Sequence, residues 1–241
     1  MVALPVIQLD RSRNVGVALG GDGVRPELVT AMAALAGAVL AVALLAVGTR
    51  RLARVPVWHK VAQVVMTAGL LGLLALRAAT IAAFCVGIGV VVFGVPLAIV
   101  DAWSYRLPSW LVVPLVITTA VTITAVTLVT HDLEMFLRAV RGFVLAAGLY
   151  GGLALAHPGH VGAGDVKLAA PLGLVLGWYG WSTLVAGVLF WTTASAVAAV
   201  VKAIVSKNAR VALPMGPFMI GGTLIAMSCV GGSDVLFGGA G

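Results

Sequence analysis

Long apolar runs separated by short polar connections fill most of this chain. A run of about 20 mostly apolar residues is long enough to cross a bilayer as a helix. The pattern predicts spanning helices at 28–49, 61–77, 78–100, 110–130, 142–157, 166–180, 181–205 and 217–237. We therefore predict an all-α fold, a polytopic membrane helix bundle of about eight transmembrane helices.

Three of these runs, 61–77, 142–157 and 166–180, are shorter than a bilayer requires. At about 1.5 Å per residue, a 16-residue helix covers only about 24 Å of the roughly 30 Å hydrocarbon core. Arg77 and Arg141 stand at the ends of the first two, where they could extend the spans by snorkelling to the interface. Local thinning of the bilayer is the alternative.

Composition supports a membrane protein. The chain is 61% hydrophobic and 10% charged over 241 residues, which far exceeds the apolar content of an ordinary soluble domain. The formal charge of +7 comes from basic residues in short segments between apolar runs, without interleaved aromatic residues. We therefore expect membrane lipid, and no nucleic acid, as a partner. Cys85 and Cys229 lie inside apolar runs and are expected to be buried and unreactive.

Basic residues also predict the orientation of the helices. The first connection holds Arg50, Arg51, Arg54 and Lys60 without any acidic residue, so we place it in the cytoplasm. Counting spans from there places both termini outside. Six of the eight acidic residues then fall in outside segments, and only the remaining two lie on the cytoplasmic face: Asp101 and Asp165.

Asp101 and Asp165 each stand at the end of an apolar run, separated by two predicted spans. The chain must go out and return between them, so both lie on one face whichever way the bundle points. A carboxylate at the membrane edge is costly to place and therefore indicates function. Two carboxylates held close together share one proton, and such a pair can hydrolyse an amide by general acid–base catalysis. We predict that no metal or other cofactor is needed.

Residues around the two aspartates fit this chemistry. Gly162 and Gly164 remove side chains beside Asp165 and would permit a sharp turn and the close approach of an extended peptide. Pro108 would stop one helix and begin the turn into the next. Lys167 is expected to anchor the chain at the interface, with substrate contact as the alternative.

Other interpretations of these residues remain open. Either aspartate could be a helix cap or a partner of the helix dipole. A transporter could use both acids to relay protons or bind a cation, and a non-catalytic assembly factor could retain them. His157 and His160 are close in the sequence and resemble a pair of zinc ligands. No third ligand is nearby, so we predict no metal site.

Three segments, in order, resemble the type IV prepilin peptidases, a family of intramembrane aspartic proteases with a GxGD motif. The first runs from Val100 through Asp101 to Leu107-Pro108. The second, Gly162-Ala163-Gly164-Asp165-Val166-Lys167-Leu168, is similar to the GxGDVKL signature and is followed by Gly173 and Gly177-Trp178. The third is Pro214-Met215-Gly216-Pro217-Phe218, similar to a late PxGPF element.

The resemblance implies a membrane aspartic endopeptidase that removes the basic leader from type IV prepilins or pilin-like secretion proteins. Asp101 and Asp165 would be the catalytic pair, with Gly162 and Gly164 as motif residues. The family's cut lies just before the substrate's apolar helix, commonly after a glycine, at the cytoplasmic face of the bacterial inner membrane. A prepilin or pilin-like protein would therefore be the substrate partner.

One departure from the longer family members concerns the first connection. Those members carry a cytoplasmic region there, often with CxxC motifs, and methylate the new amino terminus. Here that connection runs only from about Arg50 to Lys60 and lacks cysteine. We therefore expect a short, peptidase-only form, with residues 1–27 as an extracytoplasmic tail and 28–241 as a single transmembrane peptidase domain. Small residues, at 148–152 and 221–222, are expected on helix contacts.

Overall fold

The computed structural model describes residues 57–78, 80–105, 107–156, 162–207 and 213–230. These residues form seven α-helices and no strand, which confirms the all-helical prediction. The helices are α1 (Val57–Arg77), α2 (Ile81–Ser104), α3 (Ser109–Thr130), α4 (Leu133–Ala156), α5 (Ala163–Tyr179), α6 (Trp181–Ser206) and α7 (Gly216–Cys229).

Four of the described helices are long and apolar enough to cross a membrane: α2, α3, α4 and α6. The apolar parts of α1 and α7 are shorter, at Gln63–Arg77 and Gly216–Cys229. The structure thus supports a membrane protein but does not confirm about eight spans. The predicted span 28–49 and the end of the predicted span 217–237 lie outside the described residues.

Helix α4 differs from the short span predicted at 142–157, because it begins at Leu133 and has 24 residues. The additional turns contain Arg138, whose charge made the sequence appear too polar for a span. Its Nε donates a 2.9 Å hydrogen bond to the carbonyl oxygen of Gly177, and its Nη2 a 3.0 Å bond to that of Trp178. These are carbonyl groups at the end of α5 that lack partners within their own helix. Arg141 lies inside α4, so it is not needed to extend a short helix.

Glycines bring α4 and α5 into close contact. A Cβ atom added to Gly142 would lie 2.9 Å from Cα of Gly177, and one added to Gly177 would lie 3.0 Å from Cα of Gly142. Gly173 approaches the same part of α4, because an added Cβ would lie 2.5 Å from the carbonyl oxygen of Gly142. A side chain at any of these three positions would therefore separate the two helices.

The predicted small-residue contacts are mostly at other positions. Gly148, Gly152 and Gly221 have open space where a side chain would be, so the predicted contacts are wrong there. Of the pair 221–222, only Gly222 packs tightly, with an added Cβ lying 2.6 Å from Cδ1 of Trp191. The reason is geometric, since the buried face of α4 carries residues three or four apart: Ala139, Gly142, Ala146 and Tyr150.

Helices α2 and α5 form the centre of the bundle. Nearly every residue of α2 from Ala83 to Leu97 is buried or half-buried, and every residue of α5 from Pro171 to Tyr179 is buried. The hydroxyl of Tyr179 donates a 2.6 Å hydrogen bond to the carbonyl oxygen of Ala83, which joins one end of α5 to the beginning of α2. With 17 residues α5 is short, but protein rather than lipid surrounds most of it.

Candidate active site

Asp101 lies in the last turn of α2, rather than after the helix as the predicted span 78–100 implied. It is only 4% exposed. Its Oδ2 accepts a 2.8 Å hydrogen bond from the backbone N–H of Gly216, the first residue of α7. A free N–H at the beginning of a helix is a suitable partner for a carboxylate, because the helix dipole is positive there.

Helix α2, which holds Asp101, ends at the cap residue Tyr105 and not, as predicted, at Pro108. Tyr105 adopts the left-handed conformation with φ 52°, and its N–H donates a 2.8 Å hydrogen bond to the carbonyl oxygen of Asp101. Pro108 comes three residues later and is the N-cap of α3. The expectation that Pro108 starts the next helix is therefore right, and the expectation that it stops α2 is wrong.

Asp165 is the third residue of α5 and is partly buried. Its Oδ2 accepts a 3.1 Å hydrogen bond from the N–H of Gly162, the residue that caps the helix. The pKa of the Asp165 carboxyl is raised to about 6. The largest cause is burial, which disfavours the charged form; the hydrogen bond from Gly162 opposes it, and the negative charge of Asp101 adds to it.

Three observations place the two aspartates at the same end of the bundle. Asp101 and Asp165 interact electrostatically. A Cβ added to Gly164, next to Asp165, would lie 2.8 Å from Cβ of Leu107, in the connection that follows Asp101. Nζ of Lys167 lies 3.5 Å from Oγ of Ser109, the first residue of α3.

The glycines of the second motif matter because they lack a side chain, and not because their backbone adopts an unusual conformation. Gly162 has φ −73°, which any residue can adopt, and Gly164 is helical. Among the described glycines only Gly180 has a positive φ, so neither Gly162 nor Gly164 is needed for a left-handed backbone conformation. Close approach is instead what requires Gly164, and here the approaching group is Leu107 of the same chain.

The arrangement leaves part of each carboxylate available for chemistry. Within the described residues, Oδ2 of Asp101 and of Asp165 each accepts one backbone hydrogen bond, and neither Oδ1 accepts one. An ionised carboxyl oxygen can accept a proton from water, and a protonated one can donate to a carbonyl oxygen. No three His, Cys, Asp or Glu side chains in the described part of the chain lie close enough to share a metal ion. His157 and His160 lie outside the described residues.

The structure also brings residues to the site to which the sequence assigned no role. Gly216 belongs to the late Pro-Met-Gly-Pro-Phe element, which signalled its importance without showing that it contacts Asp101. Leu107 likewise belongs to a recognised motif, the Leu-Pro pair after Asp101, but the motif did not show that it packs against Gly164. Tyr150, buried on α4, interacts electrostatically with Asp165, and its ring packs edge-on against Trp191 with centroids 6.0 Å apart. No sequence pattern indicated the role of Tyr150.

One comparison with known families bears on this arrangement. The model of the type IV leader peptidase family matches residues 88–204, just under half of the chain. This part of the chain is therefore similar to type IV leader peptidases. The matched segment runs from α2 into α6, so it contains both Asp101 and Asp165, whereas Gly216 lies beyond it. We found no significant match among curated proteins or among solved structures.

The match is to a family of membrane-embedded peptidases, and it agrees with the long apolar helices of the structure.

Proposed function

We propose that the protein is a membrane-embedded aspartic endopeptidase that cleaves the basic leader from type IV prepilins or pilin-like secretion proteins. One observation carries the proposal. Two carboxylates from different helices, Asp101 and Asp165, lie at one end of the bundle, where Leu107 after Asp101 packs against Gly164 beside Asp165. A leader peptidase needs an acid and a base near the membrane edge, and this pair supplies both.

The environments of the two carboxyl groups support different roles. The raised pKa of Asp165 favours this residue as the holder of the shared proton. Each carboxylate accepts one backbone hydrogen bond, Asp101 from Gly216 and Asp165 from Gly162, so these bonds do not separate the two roles. Because of the raised pKa of Asp165, we assign this residue as the general acid and Asp101 as the general base in the first step.

In that step, water loses a proton to Asp101 and its oxygen bonds to the scissile carbonyl carbon. Asp165 gives its proton to the carbonyl oxygen, and a neutral tetrahedral diol forms. In the second step the carbon–nitrogen bond breaks, the leaving amine takes the proton from Asp101, and one diol hydroxyl returns its proton to Asp165. The products are the shortened protein, with a new amino terminus, and the leader, with a new carboxyl terminus. Asp101 is then ionised and Asp165 protonated, as at the start. The reaction consumes one water and, in this proposal, needs no metal ion.

The membrane edge is the natural place for this site. Asp101 lies three residues before the end of one long apolar helix, and Asp165 is in the first turn of another helix. A transporter that carries ions between two faces places its acids near the bilayer midplane. The position of the two aspartates at helix ends therefore favours cleavage of a chain that emerges from the membrane.

The experiment is leader removal by the purified protein in liposomes. A prepilin or pilin-like protein is added, and its products are identified by mass spectrometry. The proposal predicts one cut immediately before the apolar helix, at an equal rate with and without EDTA. A substrate with a bulky residue in place of the glycine before the cut is the control and should remain whole. Loss of activity with EDTA, restored by a divalent metal, would overturn the metal-free aspartic mechanism.

Orientation is tested separately by labelling in intact cells. Ser109 is exposed and lies at the end of the bundle that holds both aspartates. His131 is exposed in the connection at the other end of α3. In a protein whose Cys85 and Cys229 are replaced by serine, a membrane-impermeant maleimide should label a His131→Cys variant from outside and a Ser109→Cys variant only after lysis. The reverse pattern would place the site on the outer face.

A further inference from the structure

An apolar groove lies between α1, α2 and α7, on the side of Asp101. It encloses about 390 Å³. All three helices contribute to its lining, which includes Met66, Leu70, Val95, Ala98, Gly221 and Leu224. Cavities of this size are large enough to bind a ligand. Nothing in the proposed chemistry of the two aspartates accounts for this space.

One end of the groove adjoins the proposed catalytic residue. Ala98 lines it and precedes Asp101 by three residues, so the two lie on neighbouring turns of α2. Pro217 also lines it and follows Gly216, whose N–H binds Asp101. From Pro217 the groove continues along α7 to Cys229, twelve residues further and about 18 Å away. It therefore leads from the site into the apolar part of the bundle.

We propose that this groove binds the apolar helix of the substrate directly after the scissile bond. The inference rests on the proposed function, in which the cut lies just before such a helix. That helix must continue from the catalytic aspartates into the membrane, and the groove offers this path. An apolar helix lying in an apolar groove is a common mode of recognition, with side chains three or four residues apart as anchors.

Small residues make the groove suitable for a helix. In a membrane, packing rather than the hydrophobic effect holds helices together, so small side chains favour close approach. Ala98, Gly221 and Ser228 all line the groove. Among the described residues, no atom lies within 4 Å of a Cβ added to Gly221, so this part of the groove is open to a partner.

The first test fills the groove. In a Gly221→Leu variant the Cβ atom meets no described atom within 4 Å, and the rest of the side chain extends into the groove. An unchanged unfolding temperature shows that the variant is folded. Gly148→Leu on α4 is the matched control, because an added Cβ meets nothing within 4 Å there either. We expect Gly221→Leu to raise KM for the full-length substrate about tenfold or more, whereas Gly148→Leu matches the wild type. Equal KM values in the two variants would overturn the proposal.

The second test uses the native thiol in the groove. Cys229 is free and exposed, which corrects the expectation that it is buried. Single cysteines are placed along the apolar helix of the substrate, and disulfides are formed in an Asp101→Asn protein that leaves the substrate whole. Since Cys229 lies about 18 Å from Pro217, cross-links should peak about twelve residues after the scissile bond and recur at helical spacing. Cys229→Ser, which retains Cys85, should abolish them.

The two tests separate this inference from the proposed function. If leaders are cleaved but cross-links to Cys229 are absent or equal at every substrate position, the groove proposal is wrong and the peptidase stands. A lipid chain is then the better occupant of the groove. If no leader is cleaved but the cross-links peak as described, the proposed function fails and the groove remains a binding site for a membrane helix.

Discussion

The backbone N–H of Gly216 donates a 2.8 Å hydrogen bond to Oδ2 of Asp101, which joins the beginning of α7 to the last turn of α2. This contact brings together residues 115 positions apart in the chain. It assigns a physical role to the late Pro-Met-Gly-Pro-Phe element, because α7 holds one carboxylate in place and favours its ionised form.

Gly216→Ala should reduce cleavage strongly. An added Cβ would lie 2.9 Å from Oδ2 of Asp101 and 3.1 Å from its Cβ, so the carboxylate or α7 must shift. We expect kcat to fall about 10- to 100-fold, which corresponds to roughly 1.4–2.7 kcal/mol in the barrier. Gly152→Ala, which meets no atom within 4 Å, is the control. An unchanged kcat in Gly216→Ala would show that the contact does not support catalysis.

Gly164→Ala should also impair cleavage, through Leu107. The added Cβ would lie 2.8 Å from Cβ of Leu107, so the connection between α2 and α3 must move away from Asp165. We expect about a tenfold loss in kcat/KM. Because the clash is with a Cβ atom, adding Leu107→Gly should restore much of the activity relative to Leu107→Gly alone. Failure of this rescue would indicate that Gly164 is needed for another reason.

The pH dependence of cleavage should reflect the pKa of Asp165, which is raised to about 6. Below this value the pair holds its shared proton, and above it both carboxyl groups ionise and the general acid is lost. We expect kcat/KM to fall on the alkaline side with an apparent pKa near 6. A profile that stays flat through pH 8 would contradict the assignment of Asp165 as the acid.

Infrared spectroscopy can follow the same carboxyl group directly. In Asp101→Asn the neighbouring negative charge is gone, so the pKa of Asp165 should move downwards. The band of the protonated carboxyl should then disappear at a lower pH than in the wild type, and it should be missing altogether in Asp165→Asn. An unchanged midpoint would show that the two groups do not interact.

Arg138→Ala should destabilise the protein without touching the site. Its guanidinium donates hydrogen bonds to the carbonyl oxygens of Gly177 and Trp178, which lie at the end of α5 opposite Asp165. Hydrogen bonds from charged groups contribute about 1.5–3 kcal/mol. We expect a loss of roughly that size in the free energy of unfolding, measured in detergent by tryptophan fluorescence. Arg141→Ala, an exposed residue of the same helix, should change it little.

The sequence predicted the helical class because apolar runs of membrane length are visible without any structure. It predicted the span of α4 poorly, since Arg138 made the first turns look polar. The hydrogen bonds that satisfy Arg138 come from α5, about forty residues away, and no local pattern shows them. The sequence also predicted the wrong glycines of α4 for close helix contacts. Gly142 and Gly148 look alike in the sequence until the buried face of α4 is known.

At the site, the structure brings together the two acids that the sequence singled out, and it adds contacts that only packing reveals. Asp101 and Asp165 stood out because acids are rare and costly near a membrane. Gly216 and Leu107 lay in recognised segments, but their partners follow from how the helices pack. The electrostatic link between Asp165 and Tyr150 joins two helices and could not be inferred from spacing.

The most direct test of the account is the single-turnover rate of leader cleavage by Asp101→Asn, Asp165→Asn and the double variant. Asparagine retains the shape of the carboxyl group, and an unchanged unfolding temperature would show that each variant is folded. We predict that each single change lowers the rate about 10²- to 10⁴-fold. The double variant should lose little more, because the two residues act as a unit. A folded single variant that retains more than about a tenth of the wild-type rate would contradict the paired-aspartate mechanism.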